Sequence, residues 1–156
     1  MLKGAGGRPA TRALIVDPDP AFAGALAAQL RPFAHVTTCS GFARARVQLR
    51  GLVPKFLITA VALREYNGLH LVYLAGAAGL PTRSIVYHDR LDIGLANEIQ
   101  AAGAFFELQH RLPAVLPVYA AATLPPVDRR IVTRPDRRRS PRGGRRVADL
   151  QFALGA

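Results

Sequence analysis

Five short apolar runs recur along the first 124 residues, and a helix-compatible segment follows each of them. This alternation restricts the fold more than any single motif does. The run Ala13-Leu14-Ile15-Val16 is continuous in its apolar character, as parallel strands covered on both faces tend to be. Asp17-Pro18-Asp19-Pro20 stops it. Pro20 suits the first turn of a helix and Asp19 its cap. Residues 21–30 then place Phe22, Leu26 and Leu30 four apart, on one helical face.

The unit repeats. Residues 34–38 read as a second strand, and 42–49 as a helix with Phe42, Ala43, Ala45, Val47 and Leu49 towards one side. Arg44, Arg46 and Arg50 would face solvent. Residues 56–58 give a third strand, and Asn67-Gly68 opens a helix to about residue 78, closed by Gly79 and Pro81. Residues 84–87 give a fourth strand, and Asp92 caps a helix ending near residue 103. A fifth strand begins at 104–106, and residues 113–122 form a fifth helix that Pro117 would bend. Five strands alternating with five helices predict an α/β fold, a doubly wound five-stranded parallel sheet. The expected domain spans residues 11–124, after a flexible N-terminus at 1–10.

After Leu124 the pattern changes. Pro125-Pro126 interrupts it, and residues 125–156 hold nine arginines against Asp128, Asp136 and Asp149. This segment therefore supplies +6 of the net charge of +11. It reads as a disordered or loosely docked basic tail. Val147, Leu150 and Leu154 allow one short helix over 146–154, too short to stand alone in water. Half of the chain is hydrophobic, which excludes full disorder. No run reaches the roughly 18 apolar residues of a membrane span. The first residues lack the apolar stretch of a signal peptide, so a cytoplasmic location is expected. The single cysteine, Cys39, allows neither an internal disulfide nor a metal cluster, and is expected to be a half-buried small residue.

The chain resembles the receiver domains of two-component response regulators over about residues 11–124. The residues that carry the resemblance are Ile15-Val16-Asp17-Pro18-Asp19-Pro20 and Pro54-Lys55-Phe56-Leu57-Ile58-Thr59-Ala60-Val61. Asn67-Gly68-Leu69 and the step Ala102-Gly103-Ala104 add to them. The resemblance implies a flavodoxin-like sheet in the order 2-1-3-4-5. It also implies a phosphorylation site: an aspartate nucleophile ending the third strand, and two acidic residues after the first strand that help hold Mg²⁺. A Thr or Ser ends the fourth strand there and a Lys the fifth. A carboxylate is needed as nucleophile, and the metal and lysine offset the charge on the transferring group.

Asp17 matches the first acidic position, but the second falls on Pro18, with Asp19 one residue along. The nucleophile position falls on Ala60, next to Thr59, whose unactivated hydroxyl is no replacement. The Thr/Ser position falls on His88 and the Lys position on His110. One of the five survives, so phosphotransfer is not expected, and neither a cofactor nor a bound metal is. Asp17 and Asp19 could bind a cation or simply cap a helix. His88 and His110 should approach one rim of the sheet, where α/β folds bind ligands, and histidine is a natural proton shuttle. No nucleophile accompanies them, so an enzyme is not expected.

The expected function is therefore a phosphorylation-independent pseudo-receiver, a signalling or scaffold module that binds a protein partner. The resemblance implies a partner face over about residues 92–124, with Phe106, Leu116 and Tyr119 as anchors. The alternative is a regulator that binds RNA or DNA through its tail while the folded part recruits a partner or forms a homodimer. Its anion-binding candidates are Arg129, Arg130, Arg137, Arg138, Arg139, Arg142, Arg145 and Arg146. They would bind phosphates by counterion release. No aromatic residue is interleaved among them to stack on bases.

Overall fold

The computed structural model describes residues 11–122. The expected N-terminal segment 1–10, the tail from 125 and its short helix at 146–154 lie outside the described residues. So do the arginines proposed there as anion ligands.

The sheet is set by β1 (Arg12–Val16), whose residues Ala13 to Val16 are inaccessible to solvent. It pairs in parallel with β2 (His35–Cys39) on one side and β3 (Phe56–Ala60) on the other. A hairpin follows, β4 (Ala62–Leu63) antiparallel to β5 (Tyr66–Asn67). The sheet then continues through β6 (Arg83–His88) to β7 (Phe105–Leu108). The resulting order, β2-β1-β3-β6-β7, is the doubly wound arrangement that the sequence predicts. Side chains alternate between the faces of a strand. Ala13 and Ile15 accordingly meet α1 (Pro20–Leu30) and α5 (Leu112–Ala121). Leu14 and Val16 meet α2 (Phe42–Leu52) and α3 (Leu69–Ala77). Farther along that second face, Val86 packs with residues of α3 and α4 (Ile93–Ala101).

Local chemistry starts and stops these helices. The Asp19 carboxylate accepts the N–H of Ala21 at 2.9 Å and Pro20 occupies the first turn, as expected. Asp92 likewise accepts the N–H of Leu95 at 3.0 Å.

Phe22, Leu26 and Leu30 of α1 meet one core cluster, as expected, with Phe22 half-buried at its edge. Two expectations need correction. First, α2 buries Ala45 and Leu49 and leaves Ala43 and Val47 exposed. At 100° per residue, Val47 stands about 200° from Ala45, so the two cannot share a face. Asn67-Gly68 opens α3 as expected, with Gly68 as its N-cap, and Asn67 also belongs to the hairpin that precedes it. The turn of that hairpin puts Arg64 at a φ of 57°, and the Asn67 side chain accepts the N–H of Leu69 at 2.8 Å, where α3 begins. Second, Cys39 is fully buried. That burial pushes its thiol up against a smaller opposing effect of Arg44.

Among the described residues, no helix is long and apolar enough to cross a membrane. Ile15 lies between two strands beneath two helices, so Ile15→Ala should cost about 2–5 kcal/mol of stability in chemical denaturation. A cost within experimental error of zero would contradict its central place in the core.

Candidate functional site

At the C-terminal edge of the sheet, register places three side chains in one row. Ala60 on β3 pairs with Tyr87 on β6. Asp17 lies one residue beyond the pair of Val16 with Thr59, level with Ala60. All three therefore share the face covered by α1 and α5. Adjacent strands lie about 4.8 Å apart, so Tyr87 and Asp17 stand about 10 Å apart across β3. A tyrosine can span that gap because the residue between them carries only a methyl group.

It does span it. The Tyr87 hydroxyl donates a hydrogen bond to Oδ2 of Asp17, and both residues are buried. Oδ1 of Asp17 accepts the backbone N–H of Asp19 at 2.7 Å. Phe22 closes the side, its ring edge-on to Tyr87 with centroids 5.6 Å apart. Burial pushes the Tyr87 hydroxyl well above its ordinary 10.0, and the bond to Asp17 and the charges of Asp17 and Asp19 push the same way. Tyr87 thus stays a neutral donor at physiological pH, and a neutral donor to a carboxylate makes a strong, charge-assisted bond.

Sequence reasoning missed this residue. The motif count put the hydroxyl position on His88, but register makes Tyr87 the neighbour of Ala60. His88 lies one residue on, directed to the opposite face. The signal available was the run Ile85-Val86-Tyr87 itself, since a tyrosine hydroxyl buried in a strand needs an acceptor.

The donors present do not fit the metal site that the receiver resemblance implies. Both oxygens of Asp17 are engaged by protein donors, and the carboxylate of Asp19 is turned back to cap α1. Pro18 and Ala60 have no side-chain oxygen. Among the described residues, no three His, Cys, Asp or Glu side chains converge to hold an ion. Thr59 is fully buried and its hydroxyl donates to the carbonyl of Ala60 at 3.0 Å. Gly68 presses on the same carbonyl, where a Cβ would lie 2.0 Å from the oxygen.

The two histidines do not join this row. Nδ1 of His88 stays within its own loop, 3.2 Å from Asp89 Oδ1 and 3.0 Å from the carbonyl of Arg90. His110 is exposed in the turn after β7. Of the three expected partner anchors, Leu116 is corrected: it is 1 % exposed and part of the core, unavailable to a partner. Phe106 packs half-buried against the cluster around Val86 and Ile99. Tyr119 is half-buried too, with its hydroxyl 3.0 Å from Glu107 Oε1 and its ring edge-on to Phe105. The large apolar side chains that the same region exposes are Leu91, Ile93 and Val118.

Solved structures with the same backbone arrangement are receiver domains. The chemotaxis protein CheY4 of Vibrio cholerae superposes with a TM-score of 0.64 at 16 % identity, covering 70 % of this chain and 95 % of that one. The receiver domain of a DNA-binding response regulator from Colwellia psychrerythraea gives 0.63 at 17 % identity, covering 72 % and 99 %. A CheY-like receiver domain protein from Methanospirillum hungatei gives 0.62 at 15 %, covering 71 % and 94 %. The chain has the receiver-domain fold. No protein-family model matches the chain, and no curated protein sequence does. At these identities the likeness establishes the architecture alone.

Tyr87→Phe removes the donor and leaves a buried carboxylate short of one partner, which should cost about 1–3 kcal/mol near neutral pH. The folded state holds the Tyr87 proton that the unfolded chain releases near its ordinary 10.0. The folded state thus binds more protons above that pH. This contribution is complete below pH 10 and is lost as pH rises beyond it. Denaturant titrations should show stability falling more steeply above pH 10 in the parent than in Tyr87→Phe. Equal slopes and equal neutral stability would mean that the hydroxyl is not engaged with Asp17.

Proposed function

We propose that this chain is a phosphorylation-independent pseudo-receiver that acts by binding a protein partner in signalling. The observation that carries the reading is the bond from Tyr87 to Asp17 across Ala60. It fills the place where a receiver would gather a nucleophilic carboxylate, a metal and a phosphoryl group. With no carboxylate at residue 60 there is no nucleophile, and with Asp17 already satisfied there is no open acidic ligand. What remains is a scaffold and its surfaces. At the start of α4, Leu91 and Ile93 are strongly exposed two residues apart, and Val118 is exposed separately towards the end of α5. Neighbouring exposed apolar residues such as Leu91 and Ile93 mark an interaction surface. One structural neighbour, the beryllofluoride-activated NtrC4 receiver domain, is a dimer, and self-association through this face is part of the proposal.

A second reading rests on the nine arginines of residues 125–156. Their charge suits a phosphate backbone, with RNA or DNA held by counterion release and with little sequence preference. In this reading the folded domain recruits or dimerises while the tail holds the nucleic acid.

Acetyl phosphate, or beryllofluoride with Mg²⁺, should leave the amide NMR spectrum of the full chain unchanged and add no phosphoryl mass. A phosphorylated species that disappears on Asp17→Asn or Thr59→Val would overturn the reading. Ala60→Asp should not create phosphorylation either. It sets a second carboxylate level with buried Asp17, and like charges at that separation oppose ionisation.

A further inference from the structure

The fold distributes its carboxylates unevenly between its two ends, while Arg64, Arg90 and Arg111 accompany those at the C-terminal rim. In a parallel sheet every strand starts at one rim, and every connecting helix runs back to end there. Arg12 opens β1, and Lys55 immediately precedes β3. Arg31 caps the C-terminus of α1, and Arg50 sits in the last turn of α2. All four are exposed at this N-terminal rim, with His35 opening β2 beside them. Five of the seven described carboxylates, Asp17, Asp19, Glu65, Asp89 and Asp92, follow strand ends at the opposite rim or lie in the hairpin there. Of the remaining two, Glu107 is engaged by Tyr119. Glu98 lies on α4, which packs on β7 at the far edge of the sheet from β1 and β2.

Among the described residues no carboxylate forms an ion pair with any of the four cations. Arg12 donates to the carbonyl of Leu52 at 3.0 Å, and the Lys55 ammonium stands 5.7 Å from the Phe56 ring centre. Both contacts place the cations without neutralising them. Arg31 and Arg50 end helices on opposite faces of the sheet, so the charge is spread over the rim. A single phosphate would need converging donors; a spread of cations suits an extended polyanion.

The last described helix also ends at this rim. Arg83, buried at the start of β6, donates to the carbonyls of Tyr119 at 2.9 Å and Ala122 at 3.2 Å. The end of α5 is therefore fixed at this rim, and the chain proceeds from there into the segment that holds nine arginines. Phe33 is the one strongly exposed aromatic residue described at this rim, too few for a track of stacked bases.

We infer that the N-terminal rim of the sheet, through Arg12, Arg31, Arg50 and Lys55, is a binding surface for the sugar-phosphate backbone of duplex DNA. This rests on the second reading above, that the tail meets nucleic acid. The rim gives the folded domain a share in that contact and an orientation on the duplex, with Leu91 and Ile93 at the opposite rim left open.

The test measures binding of the full chain to a 20-base-pair DNA duplex as salt is varied. One variant carries Arg31→Gln, Arg50→Gln and Lys55→Gln, and another carries Arg137→Gln, Arg138→Gln and Arg139→Gln. Each neutralised phosphate contact contributes about 0.9 to the slope of log affinity against log salt. The rim variant should lose about 2–3 from that slope and at least tenfold in affinity at about 100 mM salt. Arg31→Lys with Arg50→Lys should retain both, which separates lost charge from lost folding. A rim variant with the parent's slope, beside a tail variant that has lost affinity, would sink the rim and spare the tail. No duplex binding by the parent chain would sink both. Tighter binding to the single strand than to the duplex would overturn the assignment of the ligand.

Discussion

The buried hydrogen bond between Tyr87 and Asp17 organises the C-terminal end of the molecule. It depends on three strands at once: β6 supplies the donor, β1 the acceptor and β3 the small residue that lets them meet. A buried carboxylate without partners would cost several kcal/mol, so the row holds only while the register of the sheet holds. The Asp17-Pro18-Asp19-Pro20 turn is fixed by the same group. Asp17 accepts the N–H of Asp19, and Asp19 in turn caps α1. One carboxylate thus joins strand pairing, turn and helix start, with each of its oxygens already holding a protein donor.

Much of the fold was legible because parallel strands buried on both faces are written as unbroken apolar runs, as in Ala13-Leu14-Ile15-Val16 and Phe56-Leu57-Ile58. The helix starts at Asp19 and Asp92 could be read because capping is local: the side chain bonds a backbone N–H two or three residues on. The hairpin of β4 and β5 could not be read this way. Its strands are two residues each, below any period, and its turn uses Arg64 where Gly or Asn would have announced it.

The positions of the row were legible and the contact between them was not. Counting from Gly68 located Ala60, and counting from the first strand located Pro18. The contact of Tyr87 with Asp17 depends on which residue of β6 lies level with Ala60. Register between strands 27 residues apart is a tertiary property, and one residue of slip reverses the face of every side chain. Leu116 was misjudged for a similar reason. A family's partner face names a helix, and only the packing of that helix decides which of its side chains is outside.

The close approach of Gly68 to β3 separates two kinds of information that a motif mixes. A side chain at residue 68 would strike the carbonyl oxygen of Ala60 and the Thr59 hydroxyl. The carbonyl belongs to the backbone and is present whatever the side chain at residue 60. The demand for glycine is therefore architectural, imposed by the path of the chain into α3, and it holds whatever side chain residue 60 carries. A chain of this architecture can carry the spacing signature with or without an acid at residue 60. A search keyed to spacing will gather both kinds together, and the residue at the end of the third strand of the main sheet has to be read separately to tell them apart.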